Sequence, residues 1–101
     1  MNPNCDHEIR ETINKTLADN KVVVMSLTGC PPCKKAKELL KSLDIPFHDI
    51  NLRDNEGFME CVYEKTNSPY APQVFVKNRF VGGFNELTYL HKTGLLNDLL
   101  K

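Results

Sequence analysis

Residues 22–40 read Val22-Val23-Val24-Met25-Ser26-Leu27-Thr28-Gly29-Cys30-Pro31-Pro32-Cys33-Lys34-Lys35-Ala36-Lys37-Glu38-Leu39-Leu40. The opening part is short, β-branched and apolar, which predicts a buried strand over 22–27. Thr28-Gly29 begins a loop that carries two cysteines. Pro31 and Pro32 suit the first turn of a helix, where amide hydrogens have no intrahelical partner to lose. Ala36, Leu39, Leu40 and Leu43 then recur at helical spacing, with Lys34, Lys35, Glu38 and Lys41 on the other faces. Pro46 stops the helix. The stretch is therefore strand, cysteine loop, helix.

The same periodicities organise the flanks. Ile9, Ile13 and Leu17 mark an N-terminal helix that Asp6 is placed to cap. Residues 47–52 alternate as a strand does. A helix is expected over 55–66, broken by Asn67-Ser68-Pro69. Strands follow over 73–76 and 80–81, with Lys77-Asn78-Arg79 as the turn between them. Gly82-Gly83 turns the chain again, Asn85 is expected to cap a helix containing Leu87, Leu90 and His91, and Gly94 ends it. Leu95, Leu96, Leu99 and Leu100 predict a last helical turn or two. Phe58, Phe75 and Phe80 are expected in the core.

The order is α-β-α-β-α-β-β-α. A strand–helix–strand crossover implies a parallel pair with a right-handed connection, and the last two strands are close enough for a hairpin. The expected architecture is α/β, a four-stranded mixed sheet with helices on both faces, the thioredoxin-like arrangement.

A chain of 101 residues holds one core, so residues 1–101 are expected to form one domain. Thirteen basic and thirteen acidic side chains leave a formal net charge of +0, which offers no electrostatic ground for nucleic acid or an anionic membrane as partner. No apolar run is long enough to span a bilayer. The first residues lack the basic and apolar blocks of a secretory signal and the Arg-rich character of a transit peptide. A reducing compartment, the cytoplasm, and a monomeric protein are the expectations.

Four cysteines are present: Cys5, Cys30, Cys33 and Cys61. A bridge between Cys30 and Cys33 closes so small a loop that it constrains the unfolded chain little. Its better use is reversible chemistry. At a helix N-terminus, unpaired amides and the positive end of the dipole stabilise a thiolate, which sets the Cys30 pKa below that of a free thiol. Cys33, one turn on, shares its face and is placed to resolve a mixed disulfide on Cys30. Pro32 removes one backbone amide near the sulfurs. A structural zinc is the competing use of C-x-x-C, but Cys5, His7, His48, Cys61 and His91 supply no second pair at ligand spacing, and no metal is expected. Cys61 reads as a small buried apolar residue and Cys5 as an exposed free thiol. His48 and His91 read as ordinary surface or packing residues, and Lys34, Lys35 and Lys37 as a solvated helix face.

Three segments together resemble the glutaredoxin family: Gly29-Cys30-Pro31-Pro32-Cys33, Tyr70-Ala71-Pro72-Gln73-Val74-Phe75-Val76, and Phe80-Val81-Gly82-Gly83-Phe84-Asn85-Glu86-Leu87. Element order and spacing match from about residue 22 to residue 100. The resemblance implies a glutathione-dependent thiol–disulfide oxidoreductase with Cys30 as nucleophile, Cys33 as resolving thiol and a redox-active Cys30–Cys33 disulfide. It implies a cis Pro72 beside the cysteines, with the Ala71 backbone pairing the cysteinyl part of glutathione as a short antiparallel strand. It further implies that Gly83, Phe84 and Asn85 hold the γ-glutamyl carboxylate at a helix start, with Tyr70 flanking the groove. Glutathione is the implied co-substrate. Disulfide-containing proteins, ribonucleotide reductase among them, and glutathionylated thiols are the implied substrates. Three positions depart from the family pattern. Pro32 replaces a tyrosine, Leu27 stands where a lysine often contacts the glycyl carboxylate, and Tyr70 replaces a threonine. Gln73, Arg53 and Lys77 are the residues available to compensate. Two alternatives share the fold: reduction by thioredoxin reductase, which Leu27 and Pro32 favour, and a module bridging an iron–sulfur cluster between two subunits, which the rigid proline and the available Cys33 disfavour.

Overall fold

A computed structural model describes residues 5–101 of the chain. Residues 1–4, part of the segment read for targeting signals and of the 1–101 domain span, lie outside the described residues. The elements are α1 (His7–Asp19), β1 (Val22–Ser26), α2 (Pro31–Ser42), β2 (His48–Asn51), α3 (Phe58–Thr66), β3 (Gln73–Val76), β4 (Arg79–Gly82), α4 (Phe84–Lys92) and α5 (Leu95–Leu100). Among the described residues no helix is long and apolar enough to cross a membrane.

The sheet order is β2-β1-β3-β4. β1 pairs parallel to β2, antiparallel to β3, and β3 antiparallel to β4. β1 is thus an inner strand, and its side chains alternate between two cores. Val23 and Met25 pack with Ile13 and Leu17 of α1, Cys61 and Val62 of α3, and Phe75. Val22 and Val24 pack on the other side with Ala36 and Leu40 of α2, Leu87 of α4, Leu96 of α5, and Val74 and Val76. Each such buried aliphatic side chain contributes about 1.5–3 kcal/mol. A run that is apolar at every position is therefore explained by helices on both faces, and the thioredoxin-like α/β fold expected from element order is the fold observed.

Local details follow the side chains. Asp6 caps α1 as expected, its Oδ1 accepting the amides of Glu8 at 2.8 Å and Ile9 at 3.3 Å. α3 starts later than the pattern at 55–66 implied. Gly57, with φ of +83°, turns the chain immediately before it, and a Cβ there would collide with Ile9 of α1. Asn85 does not cap α4. Gly83 holds that position, and the Glu86 carboxylate returns to the Gly83 amide at 2.7 Å. Phe80 is not core: it lies on the edge strand, 39% exposed, with its ring packed on one side against Phe75 at 5.5 Å.

Cys5, expected as an exposed free thiol, is only partly exposed and is not free. Cys5 is joined to Cys61 by a disulfide with a Cα–Cα distance of 4.7 Å. Cys61 is buried as expected, at 4% exposure. The residue before the α1 cap is carried over the start of α3, where α1 packs, and this brings the two sulfurs together. Arg10 reinforces the seam with a two-pronged bond to Glu64 at 3.0 and 3.1 Å, and Lys65 reaches Asn14 at 3.2 Å.

Candidate active site

Sheet topology brings three remote segments to one end of the molecule. β1 ends at Ser26 and runs through Thr28 and Gly29 into α2. β3 runs antiparallel to β1, so it begins where β1 ends, with Gln73 opposite Met25. Pro72 therefore lies beside the cysteine loop, and the Ala71–Pro72 peptide is cis. β4 runs back again, pairs Gly82 with Val74, and delivers α4 at this same end.

Cys30 is the N-cap of α2, and its Sγ accepts the Cys33 amide at 3.2 Å. Pro31 and Pro32 occupy the first two helical positions and have no N–H, so the Cys33 amide is the first donor the helix offers. A hydrogen bond to the ionised form adds to the helix dipole in favouring a thiolate. The two cysteines are joined in a disulfide with a Cα–Cα distance of 5.2 Å. They differ in access: Cys30 is partly exposed, while Cys33 is 2% exposed. An incoming disulfide meets Cys30 first.

The Cys30 Sγ lies 3.8 Å from the Ala71 carbonyl oxygen. Tyr70, Ala71, Pro72, Gly83, Phe84 and Asn85, the residues expected around a bound peptide, all line one cleft of about 570 Å³. The volume is of the size that small-molecule sites have. At one wall the first amides of α4 have no intrahelical acceptor. The Glu86 side chain takes the Gly83 amide, which leaves those of Phe84, Asn85 and Glu86. Gly82 shapes this corner, with φ of +118° and no room for a Cβ, which would fall 2.6 Å from Glu86 Cγ. Glu86 has no site role in the sequence reading, whereas Gly82 belongs to the Gly82-Gly83 turn expected there. A glutamate three residues after the helix start is a legible capping signal.

The three departures have structural counterparts. Leu27 packs against the α1–α3 side of the core and brings no charge of its own to that corner. Gln73 is 3% exposed, and its Nε2 donates to the carbonyls of Ser68 at 2.7 Å and Tyr70 at 3.1 Å. It holds the loop in shape instead of reaching the cleft. Lys77 follows β3 at the far end of the sheet, so it does not compensate. Arg53 follows β2 at the near end but lines neither this cleft nor the one on the other side of Cys30. That second cleft holds Lys34 and Lys37 with Cys30, Cys33 and Asn51. Lys37 is engaged there with Asp49 at 2.9 Å, and Asp49 also accepts the buried Ser26 hydroxyl at 2.8 Å. Tyr70 is 78% exposed, a free ring at the rim. His48 and His91 are exposed and away from the cysteines. Among the described residues no group of three His, Cys, Asp or Glu side chains is arranged to hold a metal ion.

A family model for glutaredoxin matches residues 22–81. The mitochondrial glutaredoxin-2 of Pongo abelii is 32% identical over 91 residues, which are 87% of this chain and 56% of that protein, so the chain spans little more than half of that relative. Glutaredoxin-1 of Rhizophagus irregularis is 32% identical over 96 residues, covering 92% of this chain and 95% of that protein. Among solved structures, a buckwheat glutaredoxin in complex with glutathione has a TM-score of 0.87 over 92% of this chain and 87% of that chain, at 23% identity, a likeness of fold.

Proposed function

The chain belongs to the glutaredoxin family, and from that premise we propose that it is a glutathione-dependent dithiol–disulfide oxidoreductase, monomeric and cytoplasmic, with Cys30 as nucleophile and Cys33 as resolving thiol. The observation that carries the reading is the asymmetry of the pair: one partly exposed sulfur capping a helix, and one buried sulfur bonded to it from a turn below.

The thiolate of Cys30 attacks one sulfur of a substrate disulfide. A mixed disulfide forms and one substrate thiolate leaves. The Cys33 thiolate then attacks Cys30, closing the ring and releasing the second substrate thiol. Two electrons have passed from the protein to the substrate. Glutathione reverses the process. Its thiolate opens the Cys30–Cys33 bond at Cys30, Cys33 takes up a proton, and a second glutathione thiolate removes the first as glutathione disulfide.

The cleft suits this co-substrate. The Ala71 backbone beside Cys30 forms no backbone hydrogen bond with the rest of the described chain, so an extended peptide can add to it as a strand. The Phe84 and Asn85 amides at the start of α4, with the Asn85 side chain, suit a carboxylate. The buckwheat relative bound to glutathione supports the same choice. Protein disulfides, such as that of a ribonucleotide reductase, and glutathionylated thiols are the proposed substrates.

A second reading rests on Leu27, which withholds a cation from the groove. Here the oxidised protein is reduced by thioredoxin reductase. A coupled assay on the same oxidised substrate separates the two. We expect NADPH consumption with glutathione plus glutathione reductase, and at least about tenfold less with thioredoxin reductase alone. The reverse ranking would overturn glutathione as the reductant.

A further inference from the structure

Cys5 and Cys61 lie outside the candidate active site, and the reaction proposed above has no use for them. They are nevertheless joined covalently, across a sequence separation of 56. We propose that this pair is a second thiol–disulfide couple, one that exchanges with a low-molecular-weight disulfide of the glutathione type and clamps α1 to α3 when oxidised.

Three features set the pair apart from Cys30–Cys33. The first is loop size. The active-site bridge spans a separation of 3 and restricts the unfolded chain little, whereas one spanning 56 removes much of its freedom. A bridge that stabilises the fold is, by linkage, favoured by the fold in turn. The order of reduction is set elsewhere: the Cys30 thiolate at the start of α2 stabilises the reduced active-site pair and makes that bond the easier to reduce, which leaves Cys5–Cys61 the harder.

The second is access. Cys5 is partly exposed, but Cys61 is 4% exposed under the α1–α3 seam. The opening beside Cys61 is a cleft of about 210 Å³ between Arg10, Asn14, Glu64 and Lys65. Cys61 is thus closed to a polypeptide disulfide, and exchange begins at the partly exposed Cys5.

The third is what remains after reduction. Cys61 Sγ lies 3.6 Å from the carbonyl oxygen of Asp6, the α1 cap. The freed thiol donates to that oxygen. With the Arg10–Glu64 and Lys65–Asn14 bonds and the burial of Ile13 and Leu17, this keeps the reduced protein folded, though less stable.

The exchange balances with that partner alone. The Cys5 thiolate attacks the small disulfide, forms a mixed disulfide on Cys5 and expels one thiolate. The Cys61 thiolate then attacks Cys5 Sγ and expels the second. Two protein thiols are oxidised and one small disulfide is reduced to two thiols. Reduction runs the same steps backwards from the small thiol.

The test is differential alkylation of the full-length protein, equilibrated in glutathione buffers of increasing reducing strength, with peptide mass mapping and thermal melts of each species. We expect a state in which Cys30 and Cys33 are alkylated while Cys5 and Cys61 remain joined. That state should melt on the order of 10–20 °C above the fully reduced protein. Cys5→Ser should lack it, should melt at the fully reduced temperature in every buffer, and should keep its disulfide reductase activity. Cys5 and Cys61 found as thiols in protein whose Cys30–Cys33 bond is intact would overturn the proposal. So would equal melting temperatures for the joined and reduced forms. Neither result touches the roles proposed for Cys30 and Cys33.

Discussion

Cys30→Ser is expected to abolish thiol–disulfide exchange with every substrate, by at least about a thousandfold. A serine hydroxyl does not ionise at the pH where a cysteine thiol does, and an oxygen in that position cannot form the mixed disulfide on which both halves of the cycle depend. The remaining active-site thiol does not substitute, because Cys33 is 2% exposed and lies one turn inside α2, out of a substrate's reach. The fold should survive the change, since a serine at the N-cap of α2 accepts the Cys33 amide as Cys30 does. Turnover of a glutathionylated peptide and of a protein disulfide, measured alongside circular dichroism, checks both parts. Activity within tenfold of wild type on either substrate would remove Cys30 from the nucleophile's role.

Cys33→Ser is expected to divide the two substrate classes. A glutathionylated thiol needs only Cys30: its sulfur takes the glutathionyl group, and a second glutathione removes it. That reaction should persist within about threefold of wild type. A protein disulfide leaves the substrate itself attached to Cys30, and without the second thiol the complex is released only by external glutathione. Protein disulfide reduction should fall at least about a hundredfold, with a covalent complex visible on a non-reducing gel. Equal loss on both substrates would show that the resolving thiol takes part in the glutathionyl transfer as well.

Much of this was legible because one pattern carries it. A strand apolar at every position, Val22 to Met25, needs cover on both faces, and the helical stripes at Ile13 and Leu17 and at Ala36 and Leu40 supply that cover. The cysteine loop between strand and helix could be placed at a helix N-terminus from its prolines alone. What failed to show depended on contacts between distant segments. Cys5 and Cys61 have no local signal of pairing, since only the packing of α1 on α3 brings them together. Phe80 carries a core residue's chemistry, but β4 is an edge strand and leaves half of the ring uncovered. Asn85 is a good capping residue by type, yet the turn at Gly82 and the return of Glu86 to Gly83 start the helix earlier. The start of α3 was misplaced because Gly57 yields space to Ile9, a contact between segments far apart in sequence. The gathering of Tyr70, Ala71, Pro72, Gly83, Phe84 and Asn85 around one cleft was expected from family resemblance, and no periodicity in the chain foretold it.

The central claim is that the Cys30 sulfur is held as a thiolate where α2 begins. Iodoacetamide alkylation of the reduced protein over a pH series, resolved by peptide mass, measures this at the residue itself, with the urea-unfolded chain as its own reference. The account predicts that Cys30 in the folded protein titrates at least about one pH unit below Cys30 in the unfolded chain. Coincident titration curves for the folded and unfolded forms would contradict it.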